Sequence, residues 1–139
     1  MKRLVISMKI AFATDDGKTI NAHFGKASHY LVVRIDNGQA VQRELRDKPA
    51  HGHAANEPHG LHDADQPHGF DPASQDRHNR MIDSIRDCEV MISRGMGRGA
   101  YASLLSAGLR PILTDIPEID QAVTAFIKGE IVDHTEKLH

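Results

Sequence analysis

The chain is poor in the residues that hold metals through sulfur or stack on bases. It has one cysteine, Cys88, no tryptophan, two tyrosines and four phenylalanines. A lone thiol excludes a disulfide within the chain and a four-cysteine zinc or iron–sulfur site built from one copy. So few aromatic rings make no stacking platform for single-stranded nucleic acid. Charge of either sign is not in excess: 17 Lys and Arg against 19 Asp and Glu leave a net charge of −2, with a pI near 6.5. No nucleic-acid partner and no membrane partner are therefore expected. No apolar run approaches the about 18 residues of a membrane-spanning helix. The opening MKRLVIS is too short for a secretory signal, and the cytoplasm is the expected location.

Histidine is what the chain has in quantity. Six of its ten histidines, His51, His53, His59, His62, His68 and His78, fall in the stretch HGHAANEPHGLHDADQPHGFDPASQDRH. Imidazole is the commonest metal-donating side chain near neutral pH. A polar stretch broken by glycine and proline cannot build a core, so these histidines are not expected to serve packing.

At 139 residues the chain is expected to be one domain, 1–139, with a core over 8–129, an insert at 47–75 and residues 1–7 as an extension. Residues 8–14 alternate Met8, Ile10 and Phe12 and read as a strand. Asp15 to Lys18 read as a turn, followed by a loop carrying His23. Tyr30–Ile35 is a nearly continuous apolar strand, as expected when both faces are covered. Asn37-Gly38 signals a hairpin turn, so 39–46 is the partner strand, polar enough for a sheet edge. A helix is predicted over 75–87 with Ser74 as its N-cap, then a buried strand at 89–93. A helix at 99–107 turns Leu104 and Leu105 inward and stops at Gly108, and 109–113 is a strand. Pro117 opens the last helix, with Ile119, Ala122, Val123, Phe126 and Ile127 on one face and Gly129 at its end. The remainder reads as a polar tail, with His29 and His134 at the surface. A hairpin followed by βαβ units predicts an α/β fold, a mixed sheet with helices on both faces.

Strand direction gathers the unusual loops. The His23 loop leaves the carboxyl end of the first strand. The third strand runs parallel to the first, so the histidine insert leaves at the same rim. With the later strands parallel too, Arg94–Gly99 and Thr114-Asp115 open there as well. Ligands of open α/β sheets bind beyond that end of the strands. The segment RGMGRGA joins a strand to a helix. Its glycines allow close backbone approach, the helix terminus offers N–H groups to an anion, and Arg94 and Arg98 add positive charge. Met96 is either a soft thioether donor or a packing residue. The bend lacks the full dinucleotide fingerprint and the phosphate-loop lysine, and a tight strand-to-helix turn is the plain alternative.

Three segments carry a resemblance: MKIAFATDDGKTINAHFGKASHYLVV, VMISRGMGRGAYASLLSAGLRPIL and IDQAVTAFIKG. Together they resemble the dinitrogenase iron–molybdenum cofactor biosynthesis family over about 8–129, through the HFG tripeptide and the GxGxGA loop. The resemblance implies a ribonuclease H-like, three-layer α/β/α fold with a five-stranded mixed sheet. It implies a non-enzymatic carrier that binds an iron–sulfur or iron–molybdenum-type cluster non-covalently and exchanges it with donor and acceptor proteins. It implies His23 as the cluster contact, with Gly95, Gly97 and Gly99 shaping the pocket. Arg94 stands where relatives often have a small residue, which either narrows the pocket or clamps an anion. Such clusters are polyanionic, so charge-assisted bonds from Lys26, Arg94 and Arg98 suit a cargo that must be released.

The insert has two readings. His51-x-His53 puts two donors on one side of an extended chain, and His59 and His62 share a face only in a helix. With His68, Glu57, Asp63 and Asp65 they make a divalent metal site, and the chain is then a zinc or nickel chaperone or sensor. Alternatively the insert is a polar loop that binds metal weakly. A metal-dependent nuclease would need clustered carboxylates, for which Asp15, Asp16 and Asp115 are the candidates. Cys88, at the amino end of its strand, reads as a buried structural thiol.

Overall fold

The computed structural model describes residues 6–49 and 72–139. The elements are β1 Ser7–Thr14, β2 His29–Asp36, β3 Gln39–Asp47, α1 Pro72–Ile82, β4 Val90–Ser93, α2 Arg98–Ser106, β5 Arg110–Leu113 and α3 Ile119–Ile127. Short 3-10 turns at Phe24–Lys26, Asp83–Ile85 and Thr135–Lys137 complete them.

The five strands form one mixed sheet in the order β3-β2-β1-β4-β5. β1 is antiparallel to β2 and β2 to β3, while β1, β4 and β5 run parallel. The hairpin expected at Asn37-Gly38 is there, with φ of 52° and 80° at the two residues, the backbone that a type I′ turn demands. β3 is the edge, exposed along most of its length as its polar sequence implied.

Alternation across the pleat divides the apolar residues between two faces. Ala11, Ala13, Tyr30, Val32, Met91 and Leu113 pack with Met81, Ile82 and Ile85 of the α1 region and Leu104 of α2. Ile10, Phe12, Leu31, Val33, Ile92 and Ile112 pack with Ile119, Ala122 and Val123 of α3. Helices therefore cover both faces, giving three α/β/α layers. Tyr30 links two of them: its hydroxyl donates to the Met81 carbonyl at 2.8 Å inside the core. Tyr30→Phe keeps the ring and removes the donor. It is expected to cost about 1–2 kcal/mol in denaturant unfolding, and no cost would mean that the carbonyl finds another donor.

Several sequence expectations are corrected. α1 begins at Pro72, not near 75, and Ser74 lies within its first turn rather than capping it. Proline suits that start because it has no N–H to leave unpaired. His78 is buried in α1, so this one histidine of the stretch does serve packing. Pro117 does not open α3: its carbonyl accepts the Ile20 N–H at 2.8 Å and Glu118 bridges Thr19, so the chain stays extended until Ile119. Leu105 is 52% exposed where Leu104 is fully buried, because successive helical residues point about 100° apart. Gly108 and Gly129 do end their helices with φ of 87° and 70°. Cys88 is buried, as expected, and burial pushes its thiol up to about 12.

His51, His53, His59, His62 and His68, with Glu57, Asp63 and Asp65, lie outside the described residues. No described helix is long and apolar enough to cross a membrane.

Candidate functional site

The carboxyl ends of β1, β4 and β5 share one rim, and β3 ends there too. The loops after β1 and β4 meet on that rim through their backbones. The Phe24 N–H donates to the Gly95 carbonyl at 2.9 Å, and the Arg94 N–H donates to the Asn21 carbonyl at 3.1 Å. Between these bonds the Ala22 carbonyl oxygen lies against Gly95, so that a Cβ there would stand 2.4 Å from it. The glycine is thus required by close approach, not by its backbone angles. Ser93 completes the bend, its hydroxyl donating to the Gly95 carbonyl and accepting from the Gly95 N–H.

The His23 loop is held from below. Asp15 accepts the Ser28 N–H at 2.9 Å and the Asn21 side-chain amide at 2.9 Å, gathering both ends of the loop. Asp16 accepts the N–H groups of Lys18 and Thr19, chiefly Thr19, and these bonds hold its carboxyl down at about 2. Both carboxylates therefore build turns. Phe24 is buried under the loop, and Lys48, at the end of β3, puts its Nζ 4.8 Å from the Phe24 ring centroid and 3.1 Å from the Ala27 carbonyl.

On this frame the predicted residues fall as follows. His23 and Lys26 are exposed on the loop. Arg94 is half-buried at the bend, and its Nε is buried without a hydrogen-bond partner among the described residues. Arg98 is exposed at the first position of α2 and Gly97 caps that helix. Gly99 is buried in its first turn. The Met96 thioether is 1% exposed and packs in the core, so the bend shows its main chain to the rim and keeps its sulfur inside. The start of α2 is not fully open to an anion, because the Arg98 N–H already donates to the His139 main-chain oxygen at 3.0 Å. Among the described residues, no three His, Cys, Asp or Glu side chains are grouped to hold a metal ion alone.

The segment after α3 lies on the same rim, which its sequence did not reveal. It crosses the ends of β5 and β4. The His134 N–H donates to the Leu113 carbonyl, and the His134 ring lies between Asp115 and Glu136. Leu138 pairs with Met96 and packs on the core, and the His139 N–H donates to the Met96 carbonyl at 3.1 Å. The His139 ring ends 6.2 Å from the His23 ring, centroid to centroid, at an interplanar angle of 71°.

The fold is a three-layer α/β domain, and one rim of its sheet gathers His23, Arg94, Arg98 and His139. A family model described as dinitrogenase iron–molybdenum cofactor matches residues 7–129. The chain belongs to that family. It is 30% identical over 119 residues to protein NifX of Sinorhizobium fredii, covering 84% of this chain and 66% of the relative. It is 23% identical over 106 residues to protein NifY of Azotobacter vinelandii, covering 76% of this chain and 36% of that protein. The chain thus spans less than two thirds of the length of both. The apo form of the orange protein from Desulfovibrio gigas shares the fold, with a TM-score of 0.61, 19% identity and 92% and 93% of the two chains covered.

Proposed function

We propose that this protein carries an iron–sulfur or iron–molybdenum-type cluster non-covalently during cofactor assembly, without turning it over. Donor and acceptor assembly proteins would be its partners and the cytoplasm its compartment. The family membership supports a role in handling this cofactor. The observation that supports the reading is the fused pair of loops: Phe24 N–H on Gly95 and Arg94 N–H on Asn21 hold the main chain on either side of His23 against the arginine bend. An imidazole supplies one exchangeable bond to a metal. Lys26, Arg94 and Arg98 supply charge-assisted bonds to the sulfides and the anionic periphery of the cluster. This combination holds a polyanion and still lets it go.

Anaerobic titration of the full chain with a synthetic iron–molybdenum–sulfur cubane tests the reading. One equivalent should bind and colour the protein. His23→Ala should weaken binding by at least about tenfold, since even loss of a supporting contact at a metal site costs that much. Equal binding by the variant and the parent would overturn the assignment of His23.

A further inference from the structure

We infer that His139 is a second imidazole for the cargo, delivered to His23 by the segment that follows α3. This rests on the carrier reading and adds a residue that neither the motif nor the bend contains. Three observations support it.

First, the segment is anchored through its last two residues. Leu138 packs on the core and bridges Met96, while the His139 main chain makes two hydrogen bonds that straddle Gly97: its N–H to the Met96 carbonyl at 3.1 Å and its oxygen from the Arg98 N–H at 3.0 Å. Successive residues of extended chain point to opposite sides, so burying Leu138 turns His139 outward. Second, the turned-out ring stands next to the His23 imidazole, at 6.2 Å. A metal atom at an ordinary zinc- or iron-like bond length lies about 3.2 Å from a ligating ring's centre, so two rings on one metal atom stand about 5–6.5 Å apart. The observed spacing falls in that span, and it also fits two neighbouring metal atoms of one cluster. Third, both rings are exposed, edge to face and not stacked flat, and neither ring is engaged by a carboxylate among the described residues. His134 contrasts with them, because Asp115 and Glu136 already hold it.

Two imidazoles would hold a cluster from two sides at a site where Met96 keeps its sulfur inward. The strap would also couple cargo to the loop–bend junction, because His139 is fixed to the residues on each side of Gly97.

The test compares the full chain with His139→Ala, His139→Cys and His23→Ala, titrated anaerobically with the same synthetic iron–molybdenum–sulfur cubane. The substitutions at 139 change only an exposed ring and leave the main-chain bonds available. The expected result is a loss of at least about tenfold in affinity for His139→Ala, with His139→Cys recovering most of it, since a thiolate is also a ligand. Equal affinity of His139→Ala and the parent, with His23→Ala weakened, overturns the role of His139 and leaves the carrier reading standing. Equal loss in the alanine and cysteine variants also overturns it, because the ring would then serve packing and not ligation. A parent that binds no cubane removes both proposals together.

Discussion

Gly95→Ala should unfold this protein roughly 10 °C below the parent and abolish cluster binding. The added methyl meets the Ala22 carbonyl oxygen at 2.4 Å. That neighbour is backbone and cannot swing aside, so the two loops must part. Overpacking of this kind costs about 1–3 kcal/mol. Parting the loops also strains the two hydrogen bonds that join them, Phe24 to Gly95 and Arg94 to Asn21, each worth about 1 kcal/mol. A total of about 3–5 kcal/mol, at about 2–4 °C per kcal/mol in a domain of this size, moves the midpoint by roughly that amount. Gly25, in the same loop, is the control: a Cβ there meets nothing within 4 Å, so Gly25→Ala should be nearly neutral. Calorimetric melting of the three proteins measures this. A Gly95→Ala melt within a degree or two of the parent would mean that the junction is not rigid, and the placement of His23 would lose its basis.

Lys48 should make stability rise with pH across the neutral-to-alkaline range. Its amine is almost fully buried at the end of β3. Burial first, and the nearby Arg77 second, lower it from 10.5 to about 7, against a weaker upward pull from Asp15. Between those two values the unfolded chain binds the proton and the folded chain has released it, so unfolding free energy increases with pH. Below about pH 7 both states are protonated and the folded protein bears the whole cost, on the order of 4–5 kcal/mol. Lys48→Met keeps the apolar stem and removes the charge. It forfeits the bond to the Ala27 carbonyl and the contact with the Phe24 ring, so its net gain at pH 6 should be about 1–3 kcal/mol. The difference between parent and variant should shrink steadily from pH 7 to pH 10, as read by urea unfolding. A difference that stays constant over that range would show that the amine keeps its charge in the fold.

The two predictions concern one junction, and the sequence discloses it unevenly. The strands were legible because alternation and apolar runs have a physical period, and Asn37-Gly38 fixed the direction of the hairpin. Direction alone then brought the His23 loop and the arginine bend to one rim, which the Phe24–Gly95 and Arg94–Asn21 bonds bear out. Helix boundaries were less legible. Pro72 and Pro117 look equally able to start a helix, yet Pro117 is kept extended by Ile20, a partner nearly a hundred residues away that no local rule sees. Met96 could not be assigned between donor and packing residue, because its fate depends on which way a glycine bend rolls. The segment carrying Leu138 and His139 gave no signal, since one leucine in a polar stretch has no period. Its place is set by pairing with Met96, a long-range contact. Lys48 also gave none: a lysine beside a proline at a strand end ordinarily faces water.

The buried Cys88 bears on how the chain would withstand air if it carries the cluster proposed above. With burial pushing its thiol up to about 12, Cys88 has almost no nucleophilic thiolate at neutral pH. The chain has no second thiol for an internal disulfide, and burial keeps Cys88 from progressing readily to a sulfinic acid. Oxygen reaching a loaded protein would therefore destroy the inorganic passenger first. The emptied polypeptide, its cysteine intact, would be left competent to accept another.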